Sequence, residues 1–170
     1  MIKNLHIITR LDMGGSAQNT LLTCEGLDKN IYEVVLVHGI SLESQMTESE
    51  KHLVENLTEK AKGNGLRVIA IPSLMRRINP VQDIKAFFSL WRILIRERPT
   101  IVHTHTSKAG ILGRLAAKLT KVPVIVHTNH GHVYYGHFNP LITRFFLLLE
   151  THFAAFTKKM VALTVHEKND

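Results

Sequence analysis

Apolar residues follow two alternating patterns along this chain. Short continuous apolar runs, such as Leu5 to Ile8 and Tyr32 to Val37, predict strands that are buried on both faces. Apolar residues at helical spacing lie between these runs and predict amphipathic helices. Further strands are predicted at Leu66 to Ile71, Ile101 to Val102, Val124 to Val126 and Met160 to Val165. The alternation predicts a single α/β domain of three layers, with helices on both faces of a doubly wound parallel sheet.

The stretch from Leu5 to Leu22 combines the first strand, a glycine turn and the start of a helix. Gly14 and Gly15 permit positive φ and close backbone approach, and Ser16 is a suitable N-cap. Backbone amides at a helix N-terminus favour an anion, so the turn predicts a phosphate site. The turn matches neither G-x-G-x-x-G nor the P-loop, so a plain strand-to-helix connection is an equally good interpretation.

The strongest helical periodicity follows Pro80, which is predicted at the first helical position after an Asn79 cap. We expect its apolar stripe to face the core. The stripe consists of Ile84, Phe87, Phe88, Trp91, Leu94 and Ile95. The other side carries Lys85, Arg92, Arg96 and Arg98. This basic side predicts either a solvated surface or a flank that attracts a membrane surface or phosphate.

Polar residues gather where the fourth and fifth predicted strands end. In the strand order 3-2-1-4-5-6, the order reverses between strands one and four, and ligands of such sheets bind at that reversal. We therefore expect the glycine turn to face the polar ends of strands four and five across a cleft. The expected lining residues are Gly14, Gly15, His105, Ser107, Lys108, His130 and Gly131.

Eleven histidines raise the question of a metal site. However, Cys24 is the only cysteine, and the histidine-bearing loops offer no convincing carboxylate ligand, so we expect no metal and no other cofactor. Cys24 itself is expected to be a buried, inert thiol. We expect His103 and His127 to be hydrogen-bonded scaffold residues, whereas His130 is the better candidate for contact with a ligand.

The net charge of +7 favours anionic partners, which include nucleic acid, phosphorylated small molecules and an acidic membrane surface. No helix-turn-helix or RNP-like pattern occurs, so nucleic acid is not expected. No secretory signal is visible, and Arg144 and Glu150 interrupt the apolar segment from Leu141 to Phe156. A cytoplasmic protein, either soluble or peripheral on the inner face of the membrane, is expected.

Three segments in this order carry a resemblance to a known family. They are ITRLDMGGSAQNTLL, IPSLMRRINPVQDIKAFFSLWRILIRERPTIVHTHTSKAGILGRLAAKL and VPVIVHTNHGHVYY. Together they resemble the N-terminal domain of the GT4-type retaining glycosyltransferases of the GT-B fold, over about residues 3 to 167. None of the three is specific by itself, but the ordered set is.

The resemblance implies a Rossmann-like, acceptor-side domain at residues 1–170, which faces a second, donor-binding domain absent from these residues. Gly14, Gly15 and Ser16 match the loop near the donor diphosphate. His130 matches the family's catalytic histidine, near the transferred sugar. The acceptor side would comprise His105, Ser107, Lys108 and, in a variable loop, Arg76.

The implied reaction moves a sugar from a nucleotide-sugar donor to a hydroxyl acceptor with retention, without a metal, in cell-envelope or polysaccharide biosynthesis. The leaving diphosphate would assist deprotonation of the acceptor. We expect residues 1–170 alone to be inactive, because half of the transition-state cleft is missing. Two alternatives are a noncatalytic membrane-docking module and a self-contained nucleotide-binding module. The latter predicts an acidic residue at the end of strand two, where His38 and Gly39 stand.

Overall fold

A computed structural model describes residues 1–40, 46–130 and 140–165 of the chain. Strands and helices alternate within these ranges, as predicted. The strands are β1 (Ile2–Ile8), β2 (Tyr32–Gly39), β3 (Arg67–Ile71), β4 (Ile101–His105), β5 (Val124–Thr128) and β6 (Lys159–Val161). The helices are α1 (Gly15–Gly26), α2 (Glu48–Gly63), α3 (Pro80–Glu97), α4 (Ser107–Leu119) and α5 (Pro140–Ala154). Gly131, singled out above, lies outside the described residues.

The six strands form one parallel sheet in the order β3-β2-β1-β4-β5-β6. This order confirms the prediction of a Rossmann-like, doubly wound sheet, and it places the reversal between β1 and β4. The register sets His6 beside His103, and His105 beside Thr128. The carboxyl ends of β1, β4 and β5 therefore meet at the reversal, where such sheets bind ligands.

Two apolar cores cover the two faces of the sheet and form the predicted three layers. On one face, Leu5 and Ile7 of β1 pack with residues of α3 and α4. On the other face, Ile8 packs with residues of α1 and α2. Strand β1 is buried on both faces from Asn4 to Ile8, and this buried part includes the polar Asn4 and His6.

Helix α4 lies unusually close to the sheet because it carries two glycines on its inner face. A Cβ atom at Gly110 would lie 2.5 Å from Cε1 of His127, and one at Gly113 would lie 2.8 Å from Cγ2 of Thr104. A side chain at either position would therefore collide with the sheet. The helix is thereby pressed against the strand ends that carry the candidate site.

Helix α2 begins at Glu48, within a polar stretch that shows no apolar periodicity. Thr47 is its N-cap, and a capping box joins Thr47 to Glu50: the Thr47 hydroxyl accepts the Glu50 amide, and the Glu50 carboxylate accepts the Thr47 amide. Lys51 pairs with Glu48 on the exposed surface. These polar interactions stabilise the helix start without an apolar pattern that would reveal it.

The orientation of α3 corrects the predicted core stripe. Its buried face consists of Ala86, Leu90, Leu94 and Glu97, whereas only Leu94 and the partly buried Phe87 of the predicted stripe reach the core. The other four residues, Ile84, Phe88, Trp91 and Ile95, are exposed. The predicted start of this helix is confirmed, because Asn79 caps it and Pro80 is its first residue.

Candidate functional site

Helix α1 begins at the end of β1 without a side-chain cap. Gly14 is its N-cap residue, at φ −72°, so the predicted cap at Ser16 is wrong: Ser16 is the second residue of the helix. Positive φ is not needed at either glycine, because the only glycine with positive φ in the described residues is Gly65. The glycine with the tighter surroundings is Gly14, where a Cβ would lie 2.8 Å from Oδ1 of Asp12, whereas a Cβ at Gly15 would meet nothing within 4 Å.

The amides of this turn are only partly used. Gly14 donates to Oδ1 of Asp12 at 3.0 Å, and Arg10 Nε lies 2.5 Å from Asp12 Oδ2. In the described part of the chain, the amides of Gly15 and Ser16 have no hydrogen-bond partner. Two amides at the positive end of a helix attract an anion, and Arg10 offsets the negative charge of Asp12 beside them. The sequence interpretation missed this Arg10–Asp12 pair.

Helix α4 also begins without a side-chain cap, at the end of β4. Its N-cap is Thr106, at φ 64°, and Ser107 is the first helical residue. A left-handed conformation is strained for threonine, and such strain is typical of functional sites. Thr9, at the end of β1, accepts the Ala109 amide at 3.2 Å and lies 2.7 Å from the Thr106 hydroxyl. Thr9 thus joins the two strand ends at the reversal.

Lys108 connects this helix start to α3. Its Nζ donates to Oδ1 of Asp83 at 2.6 Å and to the carbonyl of Arg77, and its side chain is largely buried. Arg76 is exposed just before α3. The predicted acceptor-side residues Lys108 and Arg76 therefore lie around the start of α3, and their roles stay predictions.

Three histidines form a hydrogen-bonded chain from the interior to the half-buried His130. His6 Nδ1 lies 3.1 Å from His105 Nε2, and His105 Nδ1 lies 3.2 Å from His130 Nε2. His6 and His105 are both fully buried. The expected position of His105 on the acceptor side needs correction, because its ring lies beneath His130 and has no exposed surface.

Burial keeps these inner imidazoles neutral. Loss of hydration lowers the pKa of His6 to about 3 and that of His103 to about 4, and it lowers the pKa of His105 further. Neighbouring imidazoles add a smaller effect in the same direction, since two adjacent positive charges would repel. At neutral pH each of these rings therefore has one N–H donor and one acceptor nitrogen.

The unpaired ring nitrogen at the inner end of the three hydrogen-bonded histidines indicates which nitrogen of each ring carries the proton. His6 Nε2 is buried and has no partner, and an unpaired buried acceptor occurs more readily than an unpaired buried N–H. His6 Nδ1 therefore donates to His105 Nε2, and His105 Nδ1 donates to His130 Nε2. A neutral His130 then carries its proton on Nδ1.

The predictions that His103 and His127 are hydrogen-bonded and that Cys24 is buried are confirmed. His103 Nε2 lies 2.7 Å from the Thr128 hydroxyl, and His127 Nδ1 lies 2.8 Å from the Thr104 hydroxyl. Cys24 is buried, and burial raises its thiol pKa to about 12.

One group of three histidines in the described residues has the spacing for a metal ion. A nitrogen from each of His6, His103 and His105 lies within 4.8 Å of the others. Both ring nitrogens of His105 are already used by His6 and His130, so metal binding would break the histidine chain. The expectation that no metal is needed stays a prediction.

A buried ion pair behind the site was not predicted. Arg114 of α4 is fully buried and donates through Nη2 to both carboxylate oxygens of Glu150 in α5, at 2.8 Å each. The guanidinium also lies over the Phe153 ring, 5.0 Å from its centroid. This pair fixes α5 against α4.

The family of the chain follows from a comparison with protein-family models. The model described as Glycosyltransferase Family 4 matches residues 13–170. The chain therefore belongs to Glycosyltransferase Family 4, and it corresponds to the N-terminal, GT4-type domain of such enzymes.

Two curated relatives are similar over part of the chain. The UDP-Gal:alpha-D-GlcNAc-diphosphoundecaprenol alpha-1,3-galactosyltransferase of Escherichia coli is 37% identical over 105 residues, which are 62% of this chain and 27% of that protein. The capsular polysaccharide biosynthesis glycosyltransferase CapM of Staphylococcus aureus is 28% identical over 80 residues, or 47% of this chain and 21% of that protein. The matched part therefore spans about a quarter of each relative.

Solved structures show the same fold at low sequence identity. A glycosyltransferase from Rickettsia africae superposes with a TM-score of 0.65 at 14% identity, over 99% of this chain and 38% of that one. At this identity the likeness shows the GT-B, Rossmann-like fold alone.

Proposed function

We propose that this chain is the acceptor-side half of a retaining glycosyltransferase. The enzyme would move a sugar from a nucleotide-sugar donor to a hydroxyl acceptor in cell-envelope polysaccharide biosynthesis, at the cytoplasmic face of the membrane. The observation that carries the proposal is the pair of unpartnered α1 amides, at Gly15 and Ser16, in a chain of Glycosyltransferase Family 4. Those amides follow the end of β1. The neighbouring strand, β4, carries His105, which is hydrogen-bonded to His130.

The donor diphosphate is proposed to lie at the N-terminus of α1. The Gly15 and Ser16 amides would donate to phosphate oxygens, and the helix dipole would favour their charge. The surroundings of Gly15 are open, since even a Cβ there would meet nothing within 4 Å, so an anion can reach the two amides. Arg10 would keep Asp12 from repelling the diphosphate, because it is already paired with that carboxylate.

His130 is proposed to orient the transferred sugar rather than to remove a proton. The hydrogen bond between its Nε2 and His105 would hold the ring in the orientation that this role requires. In the proposed reaction the bond between the anomeric carbon and the diphosphate breaks. The acceptor oxygen forms its bond on the same face of the sugar, and the leaving diphosphate takes the acceptor proton. No metal ion takes part in this proposal.

The acceptor is proposed to be a sugar carried on a polyprenyl diphosphate. The name of the Escherichia coli relative specifies an acceptor of this class, which supports the proposal for this chain. Arg76, Ser107 and Lys108 would lie on the acceptor side. The exposed Arg76 is suited to an anionic acceptor, whereas Lys108 is held by Asp83 and would position the start of α4.

The proposal is tested by calorimetric titration with UDP, GDP and UDP-galactose. We expect the 170-residue chain to bind nucleotide weakly and to transfer no sugar, and a chain extended through any downstream coding sequence to bind tightly and to transfer sugar. Tight nucleotide binding by the 170-residue chain alone would contradict the proposal. A self-contained nucleotide-binding module would then replace it.

A further inference from the structure

The largest unexplained surface feature is an apolar stripe on α3, which we define as Val81, Ile84, Phe88, Trp91 and Ile95. Their exposed fractions range from 37% at Trp91 to 61% at Val81. The spacing of three, four, three and four residues places them on one line along the helix, about 21 Å long. This line lies opposite the buried face formed by Ala86, Leu90 and Leu94.

Core packing does not explain this stripe, because α3 already has a complete buried face. Exposed single apolar residues are ordinary, but five in a line with two large aromatic rings are not. Phe88 and Trp91 contact each other edge to face, with ring centroids 6.3 Å apart. Ile78, just before the helix, is 71% exposed and adds to the apolar surface at the start of the helix.

A row of basic residues lies beside the stripe. Lys85, Arg92 and Arg96 each follow a stripe residue by one position, which places all three on the same flank of the helix. In the described part of the chain, Arg96 contacts Glu97, while Lys85 and Arg92 form no ion pair.

The acidic residues of α3 do not offset this charge. Asp83 is paired with Lys108, and Glu97 is buried among Lys3, Arg67 and Arg96. The outward surface of α3 is therefore apolar along its centre and positive along one flank. An apolar stripe with aromatic residues and a basic flank is typical of helices that lie in a membrane interface, where anionic headgroups attract the cations.

This charge pattern favours a lipid surface over a second copy of the chain. An antiparallel pair of copies packed stripe to stripe would bring the two basic rows together at one rim. A parallel pair would set each row against the other flank of the partner helix, whose Asp83 is already paired with Lys108, so neither arrangement supplies a free acidic partner. A bilayer with anionic lipids takes up the apolar side chains and offers headgroups to Lys85 and Arg92 at the same time. No helix in the described residues has the length and apolar character to cross a bilayer.

We propose that α3 docks the protein on the surface of an anionic bilayer, with the apolar stripe inserted at the headgroup boundary and Lys85, Arg92 and Arg96 on the headgroups. The start of α3 is tied through Asp83 to Lys108 at the start of α4. Docking therefore brings the acceptor side close to the membrane. The inference rests on the proposed function only for this last consequence, that a lipid-linked acceptor would be within reach.

Trp91 provides a direct test, because it is the only tryptophan in the chain. Its emission is recorded as vesicles are added, made either of phosphatidylcholine alone or of equal parts of phosphatidylcholine and phosphatidylglycerol. We expect a blue shift with the mixed vesicles, quenching by lipids brominated on their acyl chains, and weaker binding at high salt. An unchanged spectrum in the presence of mixed vesicles would overturn the proposal.

Two double variants separate the apolar and the charged contributions. Ile84→Ser with Ile95→Ser, and Lys85→Glu with Arg92→Glu, are each expected to lower partitioning onto mixed vesicles by about tenfold or more. Arg96 is left unchanged in the charge variant because a new carboxylate there would face Glu97. Urea unfolding checks that each variant is folded.

Matched controls carry the same changes on other surfaces. Leu22→Ser with Leu119→Ser removes two exposed leucines from α1 and α4, and Lys29→Glu with Lys60→Glu makes the same change in net charge. Both controls should bind vesicles like the unchanged chain. Equal loss in controls and test variants would contradict a specific surface on α3.

Two further outcomes would overturn the proposal for identifiable reasons. A blue shift that grows with protein concentration without vesicles would assign the stripe to self-association. Equal binding to pure phosphatidylcholine would remove the role of the basic flank. Nucleotide titration of the same variants keeps this test separate from the proposed function, because the stripe variants should bind UDP as the unchanged chain does.

Discussion

Helices α1 and α4 begin differently from helices α2 and α3. The N-cap residue Thr47 caps α2 in a full capping box, and Asn79 caps α3, whereas the N-cap residues of α1 and α4 provide no side-chain cap. A cap contributes about 1 kcal/mol of stability, so the two uncapped helices forgo it. Both of them start at the reversal of strand order, where ligands of such sheets bind. The contrast agrees with the proposal that the Gly15 and Ser16 amides of α1 receive a ligand, whereas at α4 the Thr9 hydroxyl already accepts the Ala109 amide.

The largest expected effect is the pH dependence of stability, and it arises from histidines that are buried in their neutral form. His127 is buried against Gly110, and burial lowers its pKa to about 3, as it lowers those of His6 and His103. Their folded pKa values lie below the ordinary 6.5, so the unfolded chain binds more protons below that pH. Stability should therefore be fully present above pH 6.5 and fall as the pH drops towards 4.

Each of these histidines should contribute up to about 1.4 kcal/mol per pH unit to the slope of the unfolding free energy against pH in this window. Urea unfolding from pH 7.5 downwards, in steps, measures the slope. His127→Asn should reduce the slope by the share of one histidine, because the variant has no imidazole to bury at this position. Equal slopes in His127→Asn and the unchanged chain would show that His127 is not buried in its neutral form.

The next prediction concerns a substitution that places a carboxylate at the open N-terminus of α1. Gly15→Asp places a carboxylate beside the amides of Gly15 and Ser16, in space that the structure leaves open. We expect UDP binding to fall by about tenfold, because the new charge repels phosphate. Stability should rise by about 0.5 kcal/mol, since an acidic residue suits a helix start.

The control for that variant is Gly15→Ala, which adds a methyl group without charge. UDP binding followed by NMR titration should remain near that of the unchanged chain, within about threefold. If Gly15→Asp bound UDP as well as Gly15→Ala, the amides of α1 would not be the phosphate site.

The smallest expected effects are changes in unfolding free energy when a hydroxyl residue at the start of α1 or of α2 is replaced by alanine. Thr47→Ala removes the capping box and should cost about 1 kcal/mol of unfolding free energy without changing UDP binding. Ser16→Ala removes a hydroxyl that caps nothing, and should change stability by only about 0.3 kcal/mol. Chemical denaturation measures both, and an equal loss in the two variants would contradict the difference in capping.

The sequence predicted the features that depend on local pattern. The parallel sheet and its order, the Asn79 and Pro80 start of α3, and the scaffold roles of His103 and His127 are all confirmed. These features follow from apolar periodicity, from cap chemistry and from the position of a residue at a strand end. Each is encoded within a few neighbouring residues.

The features that escaped prediction depend on contacts between distant residues. Helix α3 has two apolar stripes, and periodicity alone does not decide which of them faces inwards; the smaller stripe of Ala86, Leu90 and Leu94 does. The Thr9–Thr106 contact joins residues 97 positions apart, so no local pattern reveals why Thr106 lies at the start of α4. The position of His105 at the end of a strand predicts that it lines the cleft, but hydrogen bonds to His6 and His130 hold its ring in the interior.

The central claim is that the amides at the start of α1 receive a nucleotide diphosphate while those of α2 do not. The most direct test is a titration of the isotope-labelled chain with UDP, followed by amide NMR. The account predicts shifts at Gly15 and Ser16 with smaller changes at His130, and no change at Glu48 or Glu50, whose helix start is capped. Shifts confined to other surfaces, or equal at α1 and α2, would contradict it.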